Sequence, residues 1–105
     1  MSEDIKSAVI RSLTSSKNER ICFEVIWDMT IGRGKGNRII LSDAFVKAGS
    51  TDRKRRNEAI NRLMNKGLIF RAVCDAHHHG IVCYRYSVIK KGCRHFLDGF
   101  CPVNF

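Results

Sequence analysis

The run Arg53-Lys54-Arg55-Arg56 sets four cations side by side, and Asn57, Glu58, Asn61 and Arg62 follow closely. These side-chain types read the edges of base pairs. Arginine and lysine bond to guanine, asparagine pairs with adenine, and glutamate accepts from cytosine. Four adjacent like charges also repel one another along a helix, and phosphates relieve that repulsion. On a helix from Asp52 to Lys66, the side chains of Ala59, Ile60, Leu63 and Met64 gather on one side. Thr51, Lys54, Arg55, Glu58, Asn61, Arg62 and Asn65 lie on the other. A major groove about 12 Å wide admits one such helix.

Other residue clusters invite chemistry less well. Gly32-Arg33-Gly34-Lys35-Gly36 is basic and glycine-rich, but it lacks the Gly-x-x-x-x-Gly-Lys-Ser/Thr spacing of a phosphate loop and follows no strand. It reads as an exposed connector, with contact to a backbone phosphate as the alternative. Cys74-x-x-His77 and Cys93-x-His95 hold metal-ligand atom types, yet structural zinc sites favour two tight pairs, so no metal is expected. No Ser-His-acid or Cys-His order stands out. Asp43, Asp52 and Glu58 are not clustered as a metal-dependent nuclease would need. The expectation is a non-enzymatic protein without a cofactor.

The elements that must carry the basic helix follow from periodicity. Ser2 can cap a helix carrying Ile5, Ala8, Val9 and Leu13 on one face, broken at Thr14-Ser15-Ser16. A second helix, from about Asn18 to Thr30, is apolar around most of its circumference through Ile21, Cys22, Phe23, Val25, Ile26, Trp27 and Met29. Such a helix is either central or shared with a partner. Glycines make residues 32–37 a loop, Arg38 to Leu41 a short strand, and Ser42 the cap of a short helix ending at Gly49. Ser50 and Thr51 cap the basic helix, which stops at Gly67.

Two strands then flank residues 75–80. Pairing Cys74 with Val82 would put Leu68, Phe70, Ala72, Val82, Tyr84, Tyr86 and Val88 on one face, and Arg71, Cys83, Arg85 and Ser87 on the other. The tip would be His77, His78 and His79, mostly neutral at pH 7 with an unperturbed pKa of about 6.5. Lys90 to Phe100 fits one more short helix.

Composition agrees with a single soluble domain. The chain has 105 residues, 44% hydrophobic and 28% charged, and carries +9. The excess is local. Residues 32–71 hold 11 basic and 3 acidic side chains, whereas residues 1–31 hold 4 and 5. Such a patch attracts a polyanion. The longest apolar run is too short for a bilayer, and the acidic start Met1-Ser2-Glu3-Asp4 carries no apolar signal core. Five cysteines without a signal segment are expected to be free thiols in the cytoplasm.

The order helix, strand, short helix, basic helix, hairpin resembles a winged helix-turn-helix. Arg62-Leu63-Met64-Asn65-Lys66-Gly67-Leu68-Ile69-Phe70-Arg71 is similar to the end of the recognition helix and the start of the wing in winged-helix transcription regulators of the MarR-like and PadR-like kind. Tyr84-Arg85-Tyr86-Ser87-Val88-Ile89-Lys90-Lys91-Gly92 resembles their second wing strand and exit, and Leu41-Ser42 the opening of the preceding helix. The resemblance covers residues 38–97.

It implies a mainly α, α+β domain over residues 1–105. Residues 1–31 would form N-terminal helices, 38–92 the helix-turn-helix and wing, and 93–105 a C-terminal helix or tail. It implies a regulator binding double-stranded DNA in a bacterial, phage or plasmid setting. The alternatives are a winged-helix protein-interaction module and a replication or recombination accessory protein.

DNA contact is expected from Ser50, Thr51, Arg53, Lys54, Arg55, Asn57, Glu58, Asn61 and Arg62 on the recognition helix. Arg33, Lys35, Arg38, Arg71, His77, His78, His79 and Arg85 are the matching positions on loops and wing. Apolar residues at both ends predict a homodimer through Ile5, Val9, Leu13, Phe96, Leu97 and Phe100. No membrane contact and no small-molecule ligand are expected.

Overall fold

A computed structural model of the chain describes residues 10–78 and 81–89, with the side chains of residues 75–78, 81 and 82 left out. Within them the class is α+β. After a helical turn at residues 10–13 come α1 (Lys17–Met29), a 3-10 turn (Ile31–Arg33), β1 (Arg38–Ile39), α2 (Ser42–Lys47), α3 (Arg53–Asn65), β2 (Ile69–His78) and β3 (Ile81–Val88). The strands form one antiparallel sheet in the order β1-β3-β2. Residues 1–9 of the expected first helix, the tip residue His79, Lys90 to Phe100, Cys93 and Cys101 lie outside the described residues.

The chain's own residues set each boundary. Ser16 caps α1 by accepting from Glu19 N–H at 3.2 Å, and the Glu19 carboxylate reaches back to Ser15, its Oε2 accepting from the hydroxyl at 2.8 Å. This is a capping box spelled Ser16-x-x-Glu19, shifted one residue at its return contact. Thr30 ends the helix, its hydroxyl donating back to the Ile26 carbonyl at 2.6 Å. Asp52, rather than Ser50 or Thr51, caps α3, its Oδ1 accepting from Arg55 N–H at 3.1 Å. Gly67, at φ +77°, stops α3, and Leu68 N–H then bonds the Leu63 carbonyl at 3.1 Å. Only a glycine takes that φ without strain. Ser42 turns out to be the first residue of α2, with Leu41 at the cap position and no side-chain cap bond.

Helix α1 is the centre of the core. Cys22, Phe23, Val25, Ile26 and Trp27 are all buried, among Ile10, Leu13, Phe45, Ala59, Ile60, Leu63, Leu68 and Ile69. The Phe23 and Trp27 rings meet edge to face at 6.0 Å, and Phe45 meets Tyr86 at 5.6 Å. Of the two possibilities for so apolar a helix, α1 is central. This corrects the expectation for Leu13. Its side chain is 1% exposed within one copy and forms no part of an outer stripe. Helix α3 packs chiefly on α1, and Val46 of α2 is exposed.

The hairpin differs from expectation in register. Ile69 pairs with Val88, Phe70 with Ser87, Arg71 with Tyr86, Ala72 with Arg85, and Val73 with Tyr84. Directly paired residues share a face. Ile69 therefore faces the core with Val88 and Tyr86, while Phe70 stands outside, 58% exposed, beside Ser87. Beyond Val73 the register shifts, so that His77 pairs with Val82. Four steps along β2 match two along β3, an irregularity that extends the strand through His78 where a turn was expected.

Candidate nucleic-acid interface

Two side chains on α3 are tied to the interior before any can face outward. Arg56 is 7% exposed, and its Nη1 donates to the Ser50 carbonyl at 2.7 Å. It sits on the same helical stripe as Ala59, Ile60 and Leu63, so the basic run presents three cations to solvent rather than four. Arg62 is half exposed, and its Nε bonds Glu19 Oε2 at 2.9 Å. Lys66 Nζ takes Glu19 Oε1 at 2.7 Å and also reaches the Leu13 carbonyl at 3.3 Å.

Glu19 is thus a buried carboxylate, 1% exposed, joining α1 to the C-terminal half of α3. Burial alone would raise its pKa. Hydrogen bonds from Lys66, Ser15 and Arg62 outweigh that and lower it from 4.5 to about 2. Sequence reading missed both Glu19 and Arg56. The capping-box spacing pointed to the first, and the i, i+3, i+4 stripe with Ala59 and Ile60 to the second.

With those two anchored, Arg53, Lys54, Arg55, Asn57, Glu58 and Asn61 are exposed on α3, and Thr51 is exposed just before it. The structure brings these seven expected residues onto one helix and its lead-in. Ser50 is a correction. It is fully buried with its Oγ 3.9 Å from Cys22 Sγ, because its backbone closes the α2 end onto Phe45 and its carbonyl serves Arg56. Burial pushes the Cys22 thiol pKa up, with the Ser50 hydrogen bond opposing.

The wing residues separate. Arg71 faces the side of the sheet that holds Tyr84 and Tyr86, its guanidinium carbon 4.4 Å from the Tyr84 ring centroid. Burial raises the Tyr86 pKa, and the hydrogen bond and charge of Arg71 oppose it. Arg85 pairs with Ala72 and so lies on the opposite face, exposed, with Nη1 donating to Asn37 Oδ1 at 2.7 Å. The expected sharing of one face by Arg71 and Arg85 is therefore corrected, the one-residue difference in register being its cause.

Arg85 instead joins Arg33, Lys35 and Arg38 around a shallow basin open to solvent. The backbones of His77 and His78 continue β2, and their side chains lie outside the described set. Ile5, Val9, Phe96, Leu97 and Phe100 also lie outside it.

Among the described residues no three His, Cys, Asp or Glu side chains come together as a metal-holding group. Cys22, Cys74 and Cys83 form no disulfide; Cys22 and Cys83 are buried and Cys74 is half-buried. No described helix is long and apolar enough to cross a membrane. What the geometry provides is a rigid, one-sided display of hydrogen-bonding cations and amides. No family model, no curated protein and no solved structure matches the chain.

Proposed function

We propose that the chain is a winged helix-turn-helix protein that binds double-stranded DNA in a sequence-specific way and acts as a transcriptional regulator. The observation that carries this reading is the division of α3 into two sides. Ala59, Ile60, Leu63 and the anchored Arg56 are buried, while Arg53, Lys54, Arg55, Asn57, Glu58 and Asn61 are exposed. A helix fixed along its inner side can present base-reading groups without first ordering its backbone. The element order, with β1 beside β3 and the β2-β3 hairpin following α3, supports the winged-helix assignment.

In this reading α3 enters the major groove. Arg55 and Asn61 make paired hydrogen bonds to base edges, and Arg53 and Lys54 meet phosphates. Selection from random duplexes by the full chain tests it. The parent protein enriches a defined site. Arg55→Ala and Asn61→Ala each relax the preference at one position, by about 1–3 kcal/mol of discrimination. Selection without enrichment, or an unchanged preferred site in both variants, removes α3 as the reading element.

A further inference from the structure

The basin lined by Arg33, Lys35, Asn37, Arg38, Ile39 and Arg85 has no acidic residue in its lining. Arg38 pairs with Tyr86 and Ile39 with Arg85, so Arg33, Lys35 and Arg85 are the cations that the argument uses. None of its residues belongs to α3. Like charges gathered on one concave surface raise its energy, and a bound anion lowers it.

The basin is also held in shape. The Thr30 carbonyl accepts from Arg33 N–H at 3.1 Å and from Lys35 N–H at 2.8 Å. Thr30 is itself buried and bonded to the end of α1. Gly34, at φ +67°, closes the 3-10 turn that carries Arg33. On the facing side, Asn37 fixes the Arg85 guanidinium. Residues 32–37 are exposed, as expected of a connector, and Thr30 ties Arg33 and Lys35 to the end of α1.

We infer that this basin seats a phosphodiester of the DNA backbone, as an anchor separate from the α3 face. The inference rests on the DNA-binding reading and deepens it. Arg33 and Arg85 supply planar guanidinium donors that match phosphate geometry, and Lys35 supplies a point charge. Contacts of this kind fix the position of a duplex without reading its sequence.

The test is fluorescence anisotropy of a labelled random-sequence duplex with the full chain over a sodium chloride series. It compares the parent with Arg33→Ala/Lys35→Ala, Arg85→Ala and Asn37→Ala. The slope of log affinity against log salt falls by about 2 in the double variant and about 1 in Arg85→Ala. Affinity at low salt drops roughly tenfold in the double variant, equally on any duplex. Asn37→Ala frees Arg85 without removing charge, so it weakens binding and leaves the slope in place. Thermal melts of all variants match the parent, because Arg33, Lys35 and Arg85 are exposed.

Unchanged slopes in a parent that binds duplex overturn the basin and leave the α3 reading standing. A parent that binds no duplex at low salt overturns both. Phosphatidylserine–phosphatidylcholine vesicles present the other phosphate surface. Vesicle binding that the double variant abolishes, with duplex affinity unmoved, also overturns the assignment.

Discussion

At Glu19, a single carboxylate satisfies the start of α1 and two cations of α3 at once. The folded pKa is about 2 against an ordinary 4.5, a depressed value. A depressed acid stabilises the fold above its unfolded pKa and loses that contribution as pH falls through the folded one. The stabilisation is therefore complete above pH 4.5 and disappears toward pH 2. Its size is about 3 kcal/mol, from roughly 1.36 kcal/mol per pKa unit. Glu19→Gln keeps the shape but leaves Lys66 and Arg62 without their anion, so it destabilises by about that amount at neutral pH. Urea denaturation of parent and variant across the acid range checks this, with the gap between them closing as pH drops. A gap that stays constant down to pH 2 would assign the cost to packing rather than to charge. The spacing Ser16-x-x-Glu19 carried a capping signal that the sequence reading missed, and the two cations that complete the site come from the end of α3. Spacing within α1 says nothing about which distant side chains meet it.

Helices were the readable elements of this chain, and strand register was not. Helix α3 was visible because Asp52, the apolar stripe Ala59-Ile60-Leu63 and Gly67 mark its start, its face and its end. Strand β1 has two residues, too few to declare the neighbour it pairs with, and its place beside β3 emerged only from the fold. The hairpin faces turned on a single step. Phe70 looks like a core residue by type, yet Ile69 occupies the core and Phe70 lies outside, because register rather than hydrophobicity fixes the face. That step also divides the labour of the two wing arginines. Arg71 stacks on Tyr84 and opposes the effect of burial on Tyr86, whereas Arg85 faces the basin. Arg71→Ala thus lowers stability by about 0.5–1 kcal/mol through the lost cation–π contact and leaves duplex affinity nearly unchanged. Arg85→Ala does the reverse. Thermal melts and anisotropy on the same two proteins check the pair, and equal losses of affinity would return Arg71 to the DNA-facing set.

Across the molecule, the core closes around α1 using residues drawn from the helical turn at 10–13, all three longer helices and the sheet. That closure changes what an assembly experiment means. Leu13 was a natural choice for a dimer stripe, since Ile5, Val9 and Leu13 recur at helical spacing. Periodicity identifies an apolar face, but the element that covers it depends on the rest of the chain. Here α1 and its neighbours cover Leu13 within one copy, and Lys66 holds the Leu13 carbonyl to the end of α3. Lys66, which bonds that segment, already serves Glu19. Leu13→Asp therefore removes core packing and buries a charge together, at a cost of about 4 kcal/mol or more. For a domain of 12.0 kDa that is much of the total stability. The expected outcome is loss of the cooperative thermal transition, followed by far-ultraviolet circular dichroism, with DNA affinity lost alongside it. Sedimentation equilibrium on the same variant separates the two roles. A folded variant of mass 12.0 kDa, derived from a parent of twice that mass, would move Leu13 from the core to an interface between copies. An unfolded variant leaves it in the core, and leaves any homodimer to be built from other residues.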